Sequence, residues 1–176
     1  MLTSVRAEVS ERLREVFLLA EHIRHLESTP PSPDPPEVKI MRGLFYVHLY
    51  AALEYATCQG VQHFLEAVAT LKISTNHLNA RFLSVALDPG FSAMRSVGEE
   101  KKWSSRVRLL DLQLSTESQS INADIFALYL QNIWVEKLET LFKCLNINLP
   151  VVPDPAYRLY VDELVERRNG IAHGRF

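Results

Sequence analysis

Residues 37–70 run without a proline, and the two glycines among them, Gly43 and Gly60, stand alone. Leu44, Val47, Ala51, Tyr55, Cys58 and Val61 form one apolar stripe at helical spacing. Phe45, Leu49, Ala52 and Leu53 widen it almost all round. A helix apolar on most sides cannot lie on a surface, because it would leave apolar area in water. It predicts a central helix over Leu44 to Val68, packed by several others.

The rest of the chain supplies those others. Val5, Val9, Leu13, Val16, Phe17, Ala20, Ile23 and Leu26 recur at three and four, with charges opposite. This first helix ends before Pro30, and residues 30–36 are a stiff proline-rich linker that no helix crosses. A shorter helix is expected over 74–87, capped by Ser74 or Thr75 and stopped by Asp88-Pro89-Gly90. Residues 98–120 read as a polar insertion with one helix over 104–114. Residues 123–146 repeat apolar positions at Ile125, Leu128, Leu130, Ile133, Val135, Leu138, Leu141 and Phe142, which predicts one long helix. Leu149 to Pro153 is a turn. Asp154-Pro155 then opens a last helix, with Asp as N-cap and Pro at the first helical position. No run alternates with period two. The expected fold is all-α, an antiparallel helical bundle in a single domain over residues 1–176.

The 176 residues are 47% hydrophobic and 23% charged, ordinary for a soluble globular chain. The net charge is −2. Residues 1–88 carry 8 Lys/Arg against 10 Asp/Glu, and residues 89–176 carry 11 against 11. No basic half or tail exists to coat nucleic acid, although a small local phosphate site remains open. Cys58 and Cys144 match no metal or redox spacing and read as buried small hydrophobes in a reducing, cytoplasmic setting. The N-terminus is charged and periodic, with no apolar signal core. The stretch from Leu44 to Ala69 is broken by His48, Glu54, Thr57, Gln59, Gln62, His63 and Glu66, so it predicts no membrane span.

Phosphate-loop, dinucleotide, zinc-protease, paired-cysteine and nucleophile-elbow motifs are absent from the sequence. His22 and His25 share a helix face without a third ligand and read as solvated, so no metal and no cofactor is expected. The concentrated signal is Glu166-Arg167-Arg168-Asn169-Gly170-Ile171-Ala172-His173-Gly174. Asn169 and His173 stack on one helix face, and the long Arg168 side chain reaches toward it from about 140° away. Arg offers phosphate a planar fork of donors, His moves a proton near neutral pH, and Asn orients either. The plainer reading makes the same residues C-terminal charges and caps before Gly174.

Arg168-Asn169-Gly170-Ile171-Ala172-His173 resembles the Arg, polar residue, three residues, His motif of the HEPN superfamily. The longer phrase ERRNGIAHG, after DPAYRLYVDELV, resembles the RiboL-PSP type of HEPN-like nuclease. RGLFYVHLYAALEYA, residues 42–56, resembles that branch's long second helix, whose glutamate would here be Glu54. The resemblance implies a metal-independent endoribonuclease, used in toxin or antiviral defence. Two subunits would join their motifs in one cleft, with an antitoxin or other protein as a further partner. Arg168 would stabilise the phosphorane, His173 would move a proton or hold a phosphate oxygen, and Asn169 would orient its neighbours. Products would be a 2′,3′-cyclic phosphate and a 5′-hydroxyl.

Glu54, a carboxylate on an apolar helix, is costly to bury unpaired and is expected to orient Arg168 or Arg167; the alternatives are a solvated sliver or a structural pair with Arg42. Tyr46, Tyr50 and Tyr55 read as core or interface aromatics. The chain ends three residues after His173, whereas the resemblance implies a helix that continues, so part of that helix is expected to be missing. Two further readings use the same residues: a non-catalytic nucleotide- or protein-binding dimer module, and a plain helical dimerisation domain.

Overall fold

The computed structural model describes residues 2–175. Seven α-helices and one 3-10 turn account for its regular structure: α1 (Leu2–Leu26), α2 (Pro36–Thr70), the 3-10 turn Thr75–His77, α3 (Leu83–Ala86), α4 (Asp88–Arg95), α5 (Glu99–Gln113), α6 (Val135–Cys144) and α7 (Ala156–Ala172). The fold is all-α, and the only pairing of extended backbone among the described residues is an isolated bridge between Ser74 and Ser118. None of these helices is long and apolar enough to cross a membrane.

The residues divide into two compact units. The first comprises Met1–Gly60, Tyr129–Val135 and Val152–Phe176. Its core is built on α2 and α7: Tyr50, Leu164 and Val165 are buried together, with Tyr46, Leu49, Leu53 and Trp134 packed on them. Each such side chain removed from water contributes about 1.5–3 kcal/mol. In α1, Val5, Val16 and Ile23 are buried, but Phe17 is 69% exposed and lies outside the stripe assigned to it by spacing. The proline-rich linker is tied down by one residue. The Arg42 guanidinium donates at 2.7 Å to both Glu27 and Asp34, and the Ser28 N–H donates to Asp34 at 2.9 Å. Pro36 opens α2, where its missing N–H costs nothing.

The second unit comprises Val61–Leu128 and Glu136–Val151. Leu83, Leu87 and Leu109 are buried together, with Leu78, Met94 and Leu112 against them. Thr75 is fully buried. It does not cap a helix over 74–87. Its hydroxyl reaches the carbonyls of Ser115 and Glu117 at 3.2 and 2.9 Å, knotting two loops together. Asp88-Pro89-Gly90 starts α4 rather than ending its predecessor, because a proline fits the first turn of a helix. At Gly90 an added Cβ would stand 2.5 Å from Leu109 Cδ1, so the leucine side chain would have to shift.

The long helix expected over 123–146 exists only as Val135–Cys144. Residues 123–130 form only turns, and Asn132 takes the left-handed conformation at φ 56°, which does not continue a helix. Leu128 is accordingly 80% exposed. The helix near 104–114 begins earlier than expected, at Glu99. Cys58 and Cys144 are half-buried rather than buried, and burial, then the Glu54 charge, pushes the Cys58 thiol up.

Candidate functional site

α7 carries the C-terminal motif. The Asp154 carboxylate accepts the Ala156 N–H at 2.8 Å and Pro155 already has helical backbone, so the local start follows the sequence. The far end closes just after the motif. Gly174 takes φ +66°, the Gly174 N–H bonds the Ile171 carbonyl at 3.0 Å, and the Arg175 N–H bonds the Gly170 carbonyl at 2.8 Å. These paired bonds are a Schellman cap, which needs a left-handed residue and favours Gly there.

Arg168 is half-buried on this helix. Its Nη1 donates to Asn169 Oδ1 at 2.8 Å and to Asn132 Oδ1 at 3.0 Å. Its guanidinium carbon lies 4.4 Å from the centre of the Tyr50 ring, close enough for a cation–π contact. Tyr50 is itself fixed: it is 1% exposed, and its hydroxyl accepts the Ile133 N–H at 3.1 Å. Burial holds the Tyr50 phenol above its usual range; the Ile133 N–H and the Arg168 charge oppose this and Glu54 adds to it. The phenol therefore stays protonated and lends its O–H to Glu54 in a long contact of 3.4 Å.

The site thus brings together Arg168, Asn169, Asn132 and Tyr50, with Glu54 joined through the tyrosine. Among the described residues, Glu54 pairs with neither arginine nor with Arg42; its hydrogen bond goes to Tyr50. Arg167, one position round the helix, is in a different state. Its Nε and Nη2 both contact Glu163 Oε1 at 2.7 Å, and it lies over the Tyr46 ring at 5.1 Å. No carboxylate pairs with Arg168 among the described residues. Its charge is held in place by neutral oxygens and a ring face, and is not cancelled.

His173 stands on the last turn, where its N–H bonds the Asn169 carbonyl at 3.1 Å. The residue is exposed, and its ring bonds none of the other candidates. His22 and His25 are exposed on α1, and no cluster of three metal-ligating side chains exists among the described residues. Asn132 escaped the sequence reading because the apolar spacing of 123–146 hid it inside a predicted helix. The one available signal was its residue type, since Asn tolerates left-handed backbone. Here that backbone turns the chain just before α6, whose first N–H, on Val135, is accepted by Asp162 of α7 at 3.0 Å.

What this arrangement can do is bind an anion. A positioned guanidinium of uncancelled charge, with an exposed imidazole on the same helix end, suits a phosphate. A family model described as RiboL-PSP-HEPN matches residues 8–176. No curated protein and no solved structure matches the chain. The family match carries a coarse functional meaning, a nuclease-like or nucleotide-binding module. Since the match runs from α1 through the C-terminal motif, the chain belongs to the RiboL-PSP-HEPN family.

Proposed function

We propose that the chain is a metal-independent endoribonuclease, in which a substrate 2′-hydroxyl attacks the adjacent phosphorus. The observation that carries this reading is the state of Arg168: anchored by two amide oxygens and a tyrosine face, with no carboxylate partner. In the reaction the O2′–P bond forms and the P–O5′ bond breaks. The O2′ proton is removed and O5′ gains one, leaving a 2′,3′-cyclic phosphate and a 5′-hydroxyl. Arg168 meets charge building on the non-bridging oxygens. His173 moves a proton or holds a phosphate oxygen. Asn169 keeps the guanidinium directed, and Glu54 acts through Tyr50. The nucleophile belongs to the substrate, so no bound water needs activation by a metal.

One copy offers a single imidazole, whereas this displacement uses a base and an acid on opposite sides of phosphorus. Two copies meeting at the α7 motif would supply both. The same family resemblance supports a cytoplasmic toxin or defence role, held in check by an antitoxin or other protein.

The test incubates the purified full chain with mixed RNAs in EDTA, followed by end-group analysis. Cyclic phosphate and 5′-hydroxyl ends are expected, and His173→Ala should slow their formation by roughly 10²–10⁴-fold. Cleavage that survives His173→Ala unchanged refutes the imidazole's role. RNA or nucleotide binding that needs Arg168 but is never followed by cleavage replaces the enzyme with a binding module.

A further inference from the structure

The outward face of α5 takes no part in the chemistry above. This helix carries apolar side chains on two opposite faces. Its inner face places Leu109 and Leu112 in the core of the second unit. On the outer face Trp103, Val107, Leu110 and Leu114 are 68%, 57%, 63% and 74% exposed. Leu114 caps the helix in helical backbone, so the stripe continues to it. At 100° per residue the four fall within an arc of about 60°. Their 4-3-4 spacing is the d-a-d-a seam of a coiled coil. The unit's own core is served by the inner face, so the outer stripe has no internal use.

Two charges flank the seam. Arg106 sits at the g position and lies over the Trp103 ring at 4.8 Å, and Asp111 sits at the following e position. Neither has an ion-pair partner among the described residues.

We infer that this face is a self-association surface, and that its occupant is α5 of a second copy of this chain, parallel and in register. The charges choose the direction. In parallel register, g faces the e position five residues on, which sets Arg106 against the partner's Asp111, twice by symmetry. Antiparallel pairing would face Arg106 with Gln113 and Asp111 with Ser104, and leave both charges unpaired. The four side chains of two copies bury on the order of 1,000 Å² in total, about the least a specific interface needs. The helix is already formed and anchored on its inner face, so no nucleation cost falls on association. The inference stands apart from the nuclease reading.

The experiment uses the full chain under mild oxidation, with cross-links assigned by peptide mass spectrometry. Val107→Cys should give a covalent dimer linked 107 to 107, and Arg108→Cys, which points away from the seam, should not. Arg106→Asp and Asp111→Arg should each weaken dimerisation by roughly tenfold in sedimentation, and the double variant should recover most of it. The inference is overturned if the chain sediments as a monomer at tens of micromolar. Equal linking at 107 and 108 overturns it as well, as does a double variant no tighter than the singles. A mixture of Val107→Cys and Leu110→Cys chains that links 107 to 110 in preference to 107 to 107 rejects the parallel register.

Discussion

Arg42 and Arg168 lie in the same unit, and each is held by two oxygens, yet they are held for different ends. At the linker, Arg42 meets two carboxylates at 2.7 Å. Its charge is spent, and the result is a staple joining Glu27, Asp34 and, through Asp34, the Ser28 backbone. At the end of α7, Arg168 meets two amide oxygens and a ring face. Neutral anchors fix direction without cancelling charge. An arginine surrounded like Arg42 stabilises a chain; one surrounded like Arg168 keeps a positioned charge, which is what the proposed reaction requires.

The sharpest way to break this comparison is to truncate each in turn. Arg168→Ala should lower RNA cleavage by roughly a hundred- to thousand-fold, the usual loss of about 2.7–4 kcal/mol for one transition-state donor. Helicity by circular dichroism should be unchanged. Arg42→Ala should leave the cleavage rate alone and expose the linker to protease. Equal effects of the two on cleavage would end the distinction. Arg168→Lys should not rescue, because an ammonium offers no planar fork.

Tyr50 tests whether the neutral anchor is also structural. Tyr50→Phe keeps the ring under Arg168 and the packing on Leu164 and Val165, but it leaves the Ile133 N–H without its acceptor. Ile133 is fully buried. A buried donor so stranded costs about 1–3 kcal/mol, which should appear as a fall of several degrees in Tm. Cleavage should change far less than in Arg168→Ala, since the ring face remains. A Tm equal to the parent's would show that water reaches this N–H.

How much of this was readable beforehand depends on whether a residue's role is local. The start of α7 was legible because Asp154 and Pro155 act within their own turn. The long second helix was legible in its proline-free apolar run, but Leu44 and Ala51 of the stripe that spacing assigns to its packed side are exposed. Asp88-Pro89-Gly90 misled because the same three residues suit the end of one helix and the start of the next. The stretch before α6 misled for a different reason. Its apolar spacing fits a helix, but Asn132 adopts a left-handed backbone that spacing does not encode. Arg168 and Asn169 were visible as a motif. Their anchors Asn132 and Tyr50 were not, because both come from distant segments that only the fold brings near. Glu54 stood out as an odd carboxylate, yet its contact with Tyr50 rather than an arginine was beyond reach of the sequence.

Turning one kind of arginine site into the other is a gentler test. Asn132→Asp keeps the shape of the Arg168 anchor and adds a carboxylate 3.0 Å from Nη1 in place of the amide oxygen. The charge is then partly cancelled, as at Arg42. Cleavage should fall by roughly tenfold, which requires only about 1.4 kcal/mol of competition with the substrate phosphate. Stability should hold or rise, a combination opposite to that of Tyr50→Phe. If activity is unchanged, the neutrality of the anchor is irrelevant and the comparison loses its meaning.

The smallest expected effect is a difference in acid response. The Ser28 N–H, and after it the Arg42 guanidinium, hold the Asp34 carboxyl below its ordinary value. A carboxyl depressed in the folded state contributes stability that is complete above its unfolded value, about 3.9, and is lost as pH falls through the lower folded value. Protease sensitivity of residues 27–36 should therefore stay flat down to about pH 4 and rise only below it. The bonds from Arg168 to Asn132 and Asn169 contain no carboxylate and add no such step. In Asn132→Asp a second acid step should appear, at the α7 end, as the new carboxyl titrates. The linker step should disappear in Asp34→Asn while cleavage of RNA is retained. A linker that opens at pH 5, or an acid step that survives Asp34→Asn, would leave Asp34 a bystander.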